Sequence, residues 1–199
     1  MNGFRRIQAA GREEFDVDRV YLNFPSREYL AAEDKSAAET MDLFYRTLPL
    51  FADKLRIVCG GDVLNVGVAK FYILYSQDFE VRHNRANNAS LIFRMELGGK
   101  SVMFTGDAGV EAGEKVLRLY GGTGLLKCDI CQMAHHGQNG CNRRFYDAVA
   151  PEICLWPTPS WVWSNVNGNL QTLVVRGWME ELGVKKNYIS KDGTQLIEL

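Results

Sequence analysis

The chain has 199 residues, of which 46% are hydrophobic and 24% are charged, a composition typical of a soluble globular domain. Its 23 basic and 24 acidic residues give a formal net charge of -1, which excludes a global positive field for gathering nucleic acid. No apolar run is long enough to cross a bilayer, and the N-terminus lacks the apolar core of a signal peptide. We therefore expect a cytoplasmic protein without a membrane segment, whose five cysteines are reduced.

The first third of the chain predicts one helix among several strands. Residues 1–15 carry no periodic pattern and are predicted to form a flexible arm before a single domain at residues 16–199. Ser36 and Glu39 have the spacing of a capping box and predict a helix over residues 36–52, closed near Pro49. Alternating apolar and polar residues predict strands at residues 17–25, 55–59, 62–66 and 70–76.

The remainder alternates strands with helices. Gly98 and Gly99 predict the turn of a hairpin, because glycine accepts the positive φ that tight turns need. Helices are predicted at residues 109–120, 143–150 and 170–182. Strands are predicted at residues 90–97, 101–106, 128–134, 152–157, 184–190 and 193–199. This order predicts a layered α/β domain of stacked sheets with helices outside them.

Asp107 follows a predicted buried strand, directly after Gly106. A carboxylate at the end of a strand can reach a cleft, where it can bind cations or orient a water. The same side chain has an equally good structural role, because Asp107 could cap the helix that begins at about Gly109. The sequence leaves both interpretations open.

Two of the three histidines, His135 and His136, are adjacent and precede Gly137. Neutral imidazole is a common zinc ligand, so the pair is a candidate for metal binding. Neighbouring residues on an extended chain point to opposite faces. We therefore expect one histidine to face a metal and the other to contact substrate or form a structural hydrogen bond.

The cysteines offer a rival metal site. Cys128 and Cys131, with the histidine pair and Cys141, resemble the spacing of a zinc knuckle. If residues 128–134 form a strand, however, positions i and i+3 point to opposite faces and the two thiols diverge. Buried cysteines that pack as small hydrophobic residues are the favoured interpretation.

Together these segments resemble a known family. The stretch NNASLIFRMELGGKSVMFTGDAG, followed by LKCDICQMAHHGQNG and YDAVAPEICLW, resembles the C-terminal half of a metallo-β-lactamase-fold hydrolase. It is similar in particular to the hydrolase domain of ComEC-type DNA-uptake proteins and their stand-alone relatives. The likeness runs from about residue 87 to the C-terminus and rests on a hairpin ending in T-G-D and a strand ending in H-H-G.

The resemblance implies an αββα sandwich that cleaves esters or phosphodiesters with a hydroxide bound to zinc or manganese. Asp107 would bridge two metals, His136 would bind the second metal, and His135 would lie near the leaving group or phosphate of the substrate. Asp107 and His135 are therefore the candidate catalytic residues. The candidate metal ligands are Asp107, His136 and His135.

The sequence departs from the family pattern in its first metal motif. It contains no H-x-H-x-D-H, and its remaining histidine, His83, lies in a polar loop. A dinuclear site needs about five to seven protein ligands, more than this chain offers. We therefore expect an incomplete domain that lacks its N-terminal portion, holds metal weakly or not at all, and has little or no activity alone.

The alternative is a non-catalytic remnant of the fold that binds a partner. A half-sandwich exposes the sheet face that its missing sheet would cover, so we expect a homodimer or binding of the missing N-terminal half. The tryptophans Trp156, Trp161 and Trp163 fit either such an interface or the core. Association with DNA would use the loop arginines Arg82, Arg85, Arg143 and Arg144.

Overall fold

A computed structural model describes residues 17–199, so the predicted arm at residues 1–15 lies outside the described residues. Two groups of strands form separate sheets. The strands of the described chain are β1 (Val20–Leu22), β2 (Leu55–Ile57), β3 (Val63–Val66), β4 (Ala69–Tyr75), β5 (Ile92–Leu97), β6 (Lys100–Phe104), β7 (Ile130–Gln132), β8 (Ile153–Trp156) and β9 (Lys186–Ile189).

Helices separate these strands along the described chain. The α-helices are α1 (Arg27–Ala31), α2 (Lys35–Thr40), α3 (Asp42–Thr47), α4 (Val110–Tyr120), α5 (Arg143–Val149), α6 (Ser160–Trp163) and α7 (Thr172–Glu181). Short 3₁₀ segments are found at Leu48–Phe51, Asn87–Ala89, Ala134–Gly137 and Ser190–Asp192. None of the described helices is both long enough and apolar enough to span a bilayer.

The main sheet has seven strands in the order β3-β4-β5-β6-β7-β8-β9. Strands β3 to β6 pair antiparallel, and Gly98 and Gly99 turn the β5–β6 hairpin with φ of 60° and 77°, as predicted. Strands β6 to β9 pair in parallel. The carboxyl ends of these four strands therefore meet at one edge of the sheet, where ligands of α/β proteins commonly bind.

The core lies between the sheet and helices α4, α5 and α7. Ala112 and Val116 of α4, Phe145 of α5 and Met179 of α7 pack with Met103 of β6 and are almost fully buried. Their helical spacing places apolar residues along one face of each helix, so each helix covers the sheet with a single stripe. The mixed α/β fold with a central sheet and flanking helices is thus confirmed.

The opposite face of the sheet is covered less completely. Phe71, Phe93 and Phe104 form a row across β4, β5 and β6, with ring centroids 5.9 and 4.9 Å apart. In the described residues the second layer is the parallel pair β1 and β2, whose Tyr21 and the adjacent Val58 line a cavity of about 200 Å³ against this row. The second sheet of the predicted sandwich is therefore represented by two strands here.

Two predicted elements differ from the structure. Residues 36–52 form α2, α3 and a 3₁₀ turn rather than one helix, and the cap of α2 is Asp34, whose carboxylate accepts from the amides of Ser36 and Ala37. Residues 193–199 form no strand: β9 ends at Ile189, a 3₁₀ segment follows, and Gly193 then turns the chain with φ of 95°. The chain end instead passes close to Gly98, where an added Cβ would lie 2.9 Å from the carbonyl oxygen of Leu199.

We predict that Asp129 makes the stability of the domain depend on acid pH. Its carboxylate accepts hydrogen bonds from the Ser101 hydroxyl and amide, both at 2.7 Å, and the hydroxyl is the main reason that the pKa of Asp129 is lowered. A lowered pKa means that the ionised form stabilises the fold above the unfolded pKa of about 3.9, and that this contribution disappears as pH falls through the folded value.

Because the Asp129 side chain is 39% exposed and solvent screens its interactions, Asp129→Asn should lower the free energy of unfolding by about 0.5–1 kcal/mol at neutral pH and by less at about pH 3. Urea unfolding of both proteins at several pH values measures the difference. Asp147→Asn is the matched control, because its exposed i,i+4 pair with Arg143 contributes about 0.5 kcal/mol or less. An equal loss for Asp129→Asn at both pH values would contradict the prediction.

Candidate metal centre

Asp107 lies just beyond the end of β6, in a turn that hydrogen bonds from the neighbouring strand β7 hold in place. Gly106 has φ of 54°, and an added Cβ there would lie 2.8 Å from the Ser90 hydroxyl, so only glycine fits. The Gln132 side chain accepts from the amides of Thr105 and Gly106 and donates to the Gly106 carbonyl. The Asp107 amide donates to Ser90 Oγ at 3.0 Å, which leaves the carboxylate as the free part of the residue.

The structure excludes one of the two roles that the sequence left open for Asp107, the cap of α4, and leaves metal binding as a prediction. The cap residue of α4 is Gly109, and no side chain of the cap itself bonds the helix. Asn88, which is 2% exposed, instead accepts from the amides of Gly109 and Ala112 through Oδ1, at 2.9 and 3.3 Å. Because a remote asparagine caps the helix, the Asp107 carboxylate is available for another purpose.

The histidine pair lies in a left-handed turn rather than on an extended strand. His135, His136 and Gly137 have φ of 48°, 60° and 72° in succession. Left-handed backbone costs roughly 1–2 kcal/mol per non-glycine residue, so the surrounding structure must hold it. The His135 amide donates to the Gly106 carbonyl at 3.0 Å, and Gly137 packs against Trp156, where an added Cβ would lie 2.3 Å from the indole. The argument from opposite strand faces was therefore wrong.

His136 faces Asp107 across this turn. Its Nε2 is 3.7 Å from Asp107 Oδ1, and both side chains are 41% exposed. Nδ1 of His136 is 2.7 Å from the carbonyl oxygen of Pro157. A carbonyl can only accept, so Nδ1 carries the proton and the lone pair of the neutral ring is on Nε2, toward Asp107. Carbonyl bonds of this kind fix the tautomer of metal-binding histidines.

His135 occupies a different environment from its neighbour. Its ring centroid is 6.0 Å from that of His136, and its Nδ1 is buried without a hydrogen-bond partner among the described residues. A buried imidazole nitrogen is costly when it has no partner. The structure thus gives His135 no contact with Asp107, and its predicted roles as a ligand and as a substrate contact stay predictions.

The donors present fit one cation and do not fit a dinuclear centre. Oδ1 of Asp107 and Nε2 of His136 lie 3.7 Å apart, close enough for both to bind one divalent cation. The described part of the chain contains no group of three or more His, Cys, Asp or Glu side chains placed to hold an ion. Asp107 and His136 are therefore the two candidate ligands that the structure brings together, and their binding of a metal stays a prediction.

The cysteines form no competing site. Cys128, Cys131, Cys141 and Cys154 are buried, and all lie in the hydrophobic core. Burial raises the pKa of each thiol, to about 12 for Cys141 and Cys154, which disfavours the thiolate that zinc binds. The interpretation as buried small residues is confirmed. The reason given for it does not hold, because β7 begins only at Ile130 and Cys128 and Cys131 face the same core.

Of the other candidate residues, most are engaged within the chain. Arg85 stacks on Tyr29 at 4.3 Å, Arg143 pairs with Glu181 and Asp147, and Arg144 pairs with Glu114. The exposed His83 contributes its backbone carbonyl to Asn88. DNA association therefore stays a prediction.

The tryptophans divide between the core and the surface. Trp156 is 2% exposed and meets Trp163 edge to face at 5.3 Å, and Arg176 stacks on Trp163 at 4.2 Å. Trp161 is 56% exposed. The role of core and loop anchor therefore applies to Trp156 and Trp163, and only Trp161 is open to a partner.

Several residues that shape the site gave no signal in the sequence. Three of them form hydrogen bonds to residues at least 21 positions away in the sequence: Asn88 to Gly109, Gln132 to Gly106, and Thr158 to His136. Their residue types are common in loops and strands, so no spacing distinguished them. The two prolines that flank Thr158 are the one sequence signal that could have indicated a rigid segment after β8.

Comparisons with solved structures and with known sequences both find similar proteins. Among solved structures the chain is similar to CmlA, a diiron β-hydroxylase from Streptomyces venezuelae, at 15% identity over 72% of this chain and 35% of that one, with a TM-score of 0.48. It is also similar to the metallo-β-lactamase fold protein YhfI from Bacillus subtilis, at 13% identity over 71% of this chain and 55% of that one, with a TM-score of 0.43. No protein-family model matches the chain.

The sequence comparison gives a particular relative. The chain is 32% identical over 96 residues to ComE operon protein 3 from Bacillus subtilis (strain 168). The alignment covers 48% of this chain and 12% of that protein, so the chain corresponds to a small part of it. The predicted resemblance to metallo-β-lactamase-fold and ComEC-type proteins is thus confirmed as a similarity.

We predict that one thiol of the native protein reacts rapidly with an aromatic disulfide reagent. Cys59 is the exposed cysteine, whereas burial and a raised pKa protect the other four. The absorbance of the released thiolate should show one fast equivalent in buffer and five in denaturant. Cys59→Ser should abolish the fast equivalent, and rapid reaction of a second thiol would contradict the assignment of Cys128 and Cys131 to a closed core.

Proposed function

We propose that this chain is a metal-binding domain of the metallo-β-lactamase type, in which Asp107 and His136 hold one divalent cation, zinc or manganese. The observation that carries the proposal is the 3.7 Å approach of His136 Nε2 to Asp107 Oδ1, with the ring turned by the Pro157 carbonyl. Hydrolysis of an ester or phosphodiester is the reaction class that the relationship supports, and it requires ligands beyond these two.

The chemistry assigned to each residue follows from its surroundings. A divalent cation at such a site polarises a substrate oxygen and acidifies water. Asp107 supplies the negative charge that attracts the cation, and its turn is held by Gln132 and Ser90 so that the carboxylate stays at the sheet edge. His136 keeps its proton on Nδ1 through Pro157 and offers Nε2. We place His135 beside this pair, toward the leaving group of a substrate.

Two ligands explain why the chain alone should be a poor enzyme. Catalytic zinc sites use three protein ligands and leave one position open, and two-metal sites use more. Both ligands here are also 41% exposed, so water competes for the cation. We therefore propose weak metal binding and little or no hydrolase activity without further ligands.

We predict that the purified chain binds about one zinc or manganese ion weakly, as measured by isothermal titration calorimetry. Asp107→Asn and His136→Asn should each weaken binding by more than about 100-fold, the upper end of what loss of an outer-shell partner costs. His83→Asn is the matched control and should leave the affinity unchanged. Equal loss in all three variants, or none in the first two, would contradict the proposed ligands.

The same preparations test the activity. Hydrolysis of bis(p-nitrophenyl) phosphate by the wild-type chain should stay at the background rate with zinc or manganese added. Turnover that Asp107→Asn abolishes would show a competent enzyme and contradict the proposed inactivity. Turnover that survives chelation would contradict the role of metal.

The open face of the sheet supports a second function, a partner-binding module with no catalysis. Beyond the row of Phe71, Phe93 and Phe104, a cleft of about 370 Å³ crosses β6 to β9 between Phe104, Leu155 and Tyr188. Gln132, Leu155 and Tyr188 lie in register on neighbouring strands, so the cleft continues the row. An apolar face of this kind is suited to a second copy of the chain or to a complementary half-domain.

We predict that the chain forms a dimer through this face at micromolar concentration. Leu155→Lys places a charge on the face and should shift the light-scattering mass from dimer to monomer. Val68→Lys, at a 91% exposed position beside the β3–β4 turn, is the matched control and should remain dimeric. A monomeric wild-type chain would contradict the predicted homodimer. A dimer that persists in Leu155→Lys would show that the chain dimerises through another surface.

A further inference from the structure

The segment that follows β8 is stiffer than an ordinary loop. Thr158 lies between Pro157 and Pro159, so φ is locked on both sides. A residue that precedes proline is restricted to extended conformations, which applies to both Trp156 and Thr158. The covalent structure of the segment therefore restricts its conformations before any tertiary contact forms.

This segment bonds the histidine turn at two points. The Pro157 carbonyl lies 2.7 Å from Nδ1 of His136, and the Thr158 hydroxyl donates to the His136 carbonyl, also at 2.7 Å. Ser190, just after β9, donates its hydroxyl to the Thr158 carbonyl at 3.1 Å. Two adjacent residues of this segment therefore hydrogen-bond to His136, one to its ring and the other to its backbone.

The contact from Thr158 is directed at the strained part of the turn. His136 has φ of 60° and ψ of 21°, and its carbonyl direction depends on those angles. Thr158 is fully buried, so its hydroxyl has no water to bond instead of that carbonyl. If the carbonyl were free to rotate, the ring would lose the orientation that brings Nε2 toward Asp107.

We infer that Thr158 is a positioning residue for the metal site, which acts by holding the backbone of His136 in the left-handed conformation that aims its ring at Asp107. The inference rests on the proposed function, in which His136 is a ligand. It goes beyond that function by assigning a role to a residue that touches neither the cation nor Asp107. The prolines on either side make the segment a rigid support rather than a flexible one.

The test compares Thr158→Val, which keeps the shape and removes the donor, with Thr158→Ser, which keeps the donor. Zinc affinity should fall by about 10- to 100-fold in Thr158→Val, the range for loss of an outer-shell partner, and should stay within about threefold of wild type in Thr158→Ser. In the metal-free chain, nitrogen NMR at alkaline pH should show His136 as a single Nδ1–H tautomer in wild type and a mixture in Thr158→Val.

Ser190→Ala is the control for a role in stability alone. It removes a hydrogen bond to the same segment and leaves both bonds to His136 intact. It should lower the melting temperature without changing zinc affinity or the tautomer. If Thr158→Val behaves like Ser190→Ala in all three measurements, Thr158 is structural and the inference is overturned.

Two further readouts keep the outcomes separate. If the wild-type chain binds no zinc, the proposed function fails, and the tautomer comparison still decides the role of Thr158. If the hydroxyl-free variants Thr158→Val and Thr158→Ala do not fold, hydroxyl proton exchange in the wild-type chain tests the role of Thr158 instead. A slowly exchanging Thr158 hydroxyl proton supports the bond to His136, and a rapidly exchanging one overturns it.

Discussion

The left-handed turn at residues 135–137 is the constraint on which the geometry of the candidate site depends. A backbone with three successive positive φ values is not stable by itself, and two of these residues are not glycine. It persists because the end of β6 binds it through Gly106, the indole of Trp156 closes over Gly137, and the segment after β8 holds His136. The ends of β6 and β8 therefore hold the turn that follows β7 and place one imidazole.

The same arrangement explains how Asp107 becomes available. A carboxylate just before a helix ordinarily satisfies the free amides of that helix. Here Asn88, from a loop before β5, performs that task for α4, and Gln132 and Ser90 hold the backbone around Gly106. With those needs met by other residues, the carboxylate faces Nε2 of His136 at the sheet edge. The candidate site therefore depends on residues such as Asn88, Gln132 and Ser90, which are not candidate ligands themselves.

The two faces of the sheet have different chemistry, and this difference bears on the function. One face is closed by α4, α5 and α7 and forms a continuous buried core. The other carries aromatic residues across several strands, and the parallel pair β1 and β2 covers only part of it. Asp107 and His136 lie where the parallel strands end.

The sequence by itself determined most of the strands and helices of the second half and the hairpin at Gly98 and Gly99, and it identified Asp107 and the histidine pair as candidate site residues. Those features depend on local periodicity, glycine conformations and residue chemistry, which neighbouring residues encode. Tertiary structure alone decided that Asn88 caps α4, that residues 135–137 form a left-handed turn, and that Nε2 of His136 lies 3.7 Å from Asp107 Oδ1. Each of these outcomes depends on hydrogen bonds from residues that are distant in sequence. Local pattern cannot encode such contacts, because the partner is chosen only when the strands have been brought side by side.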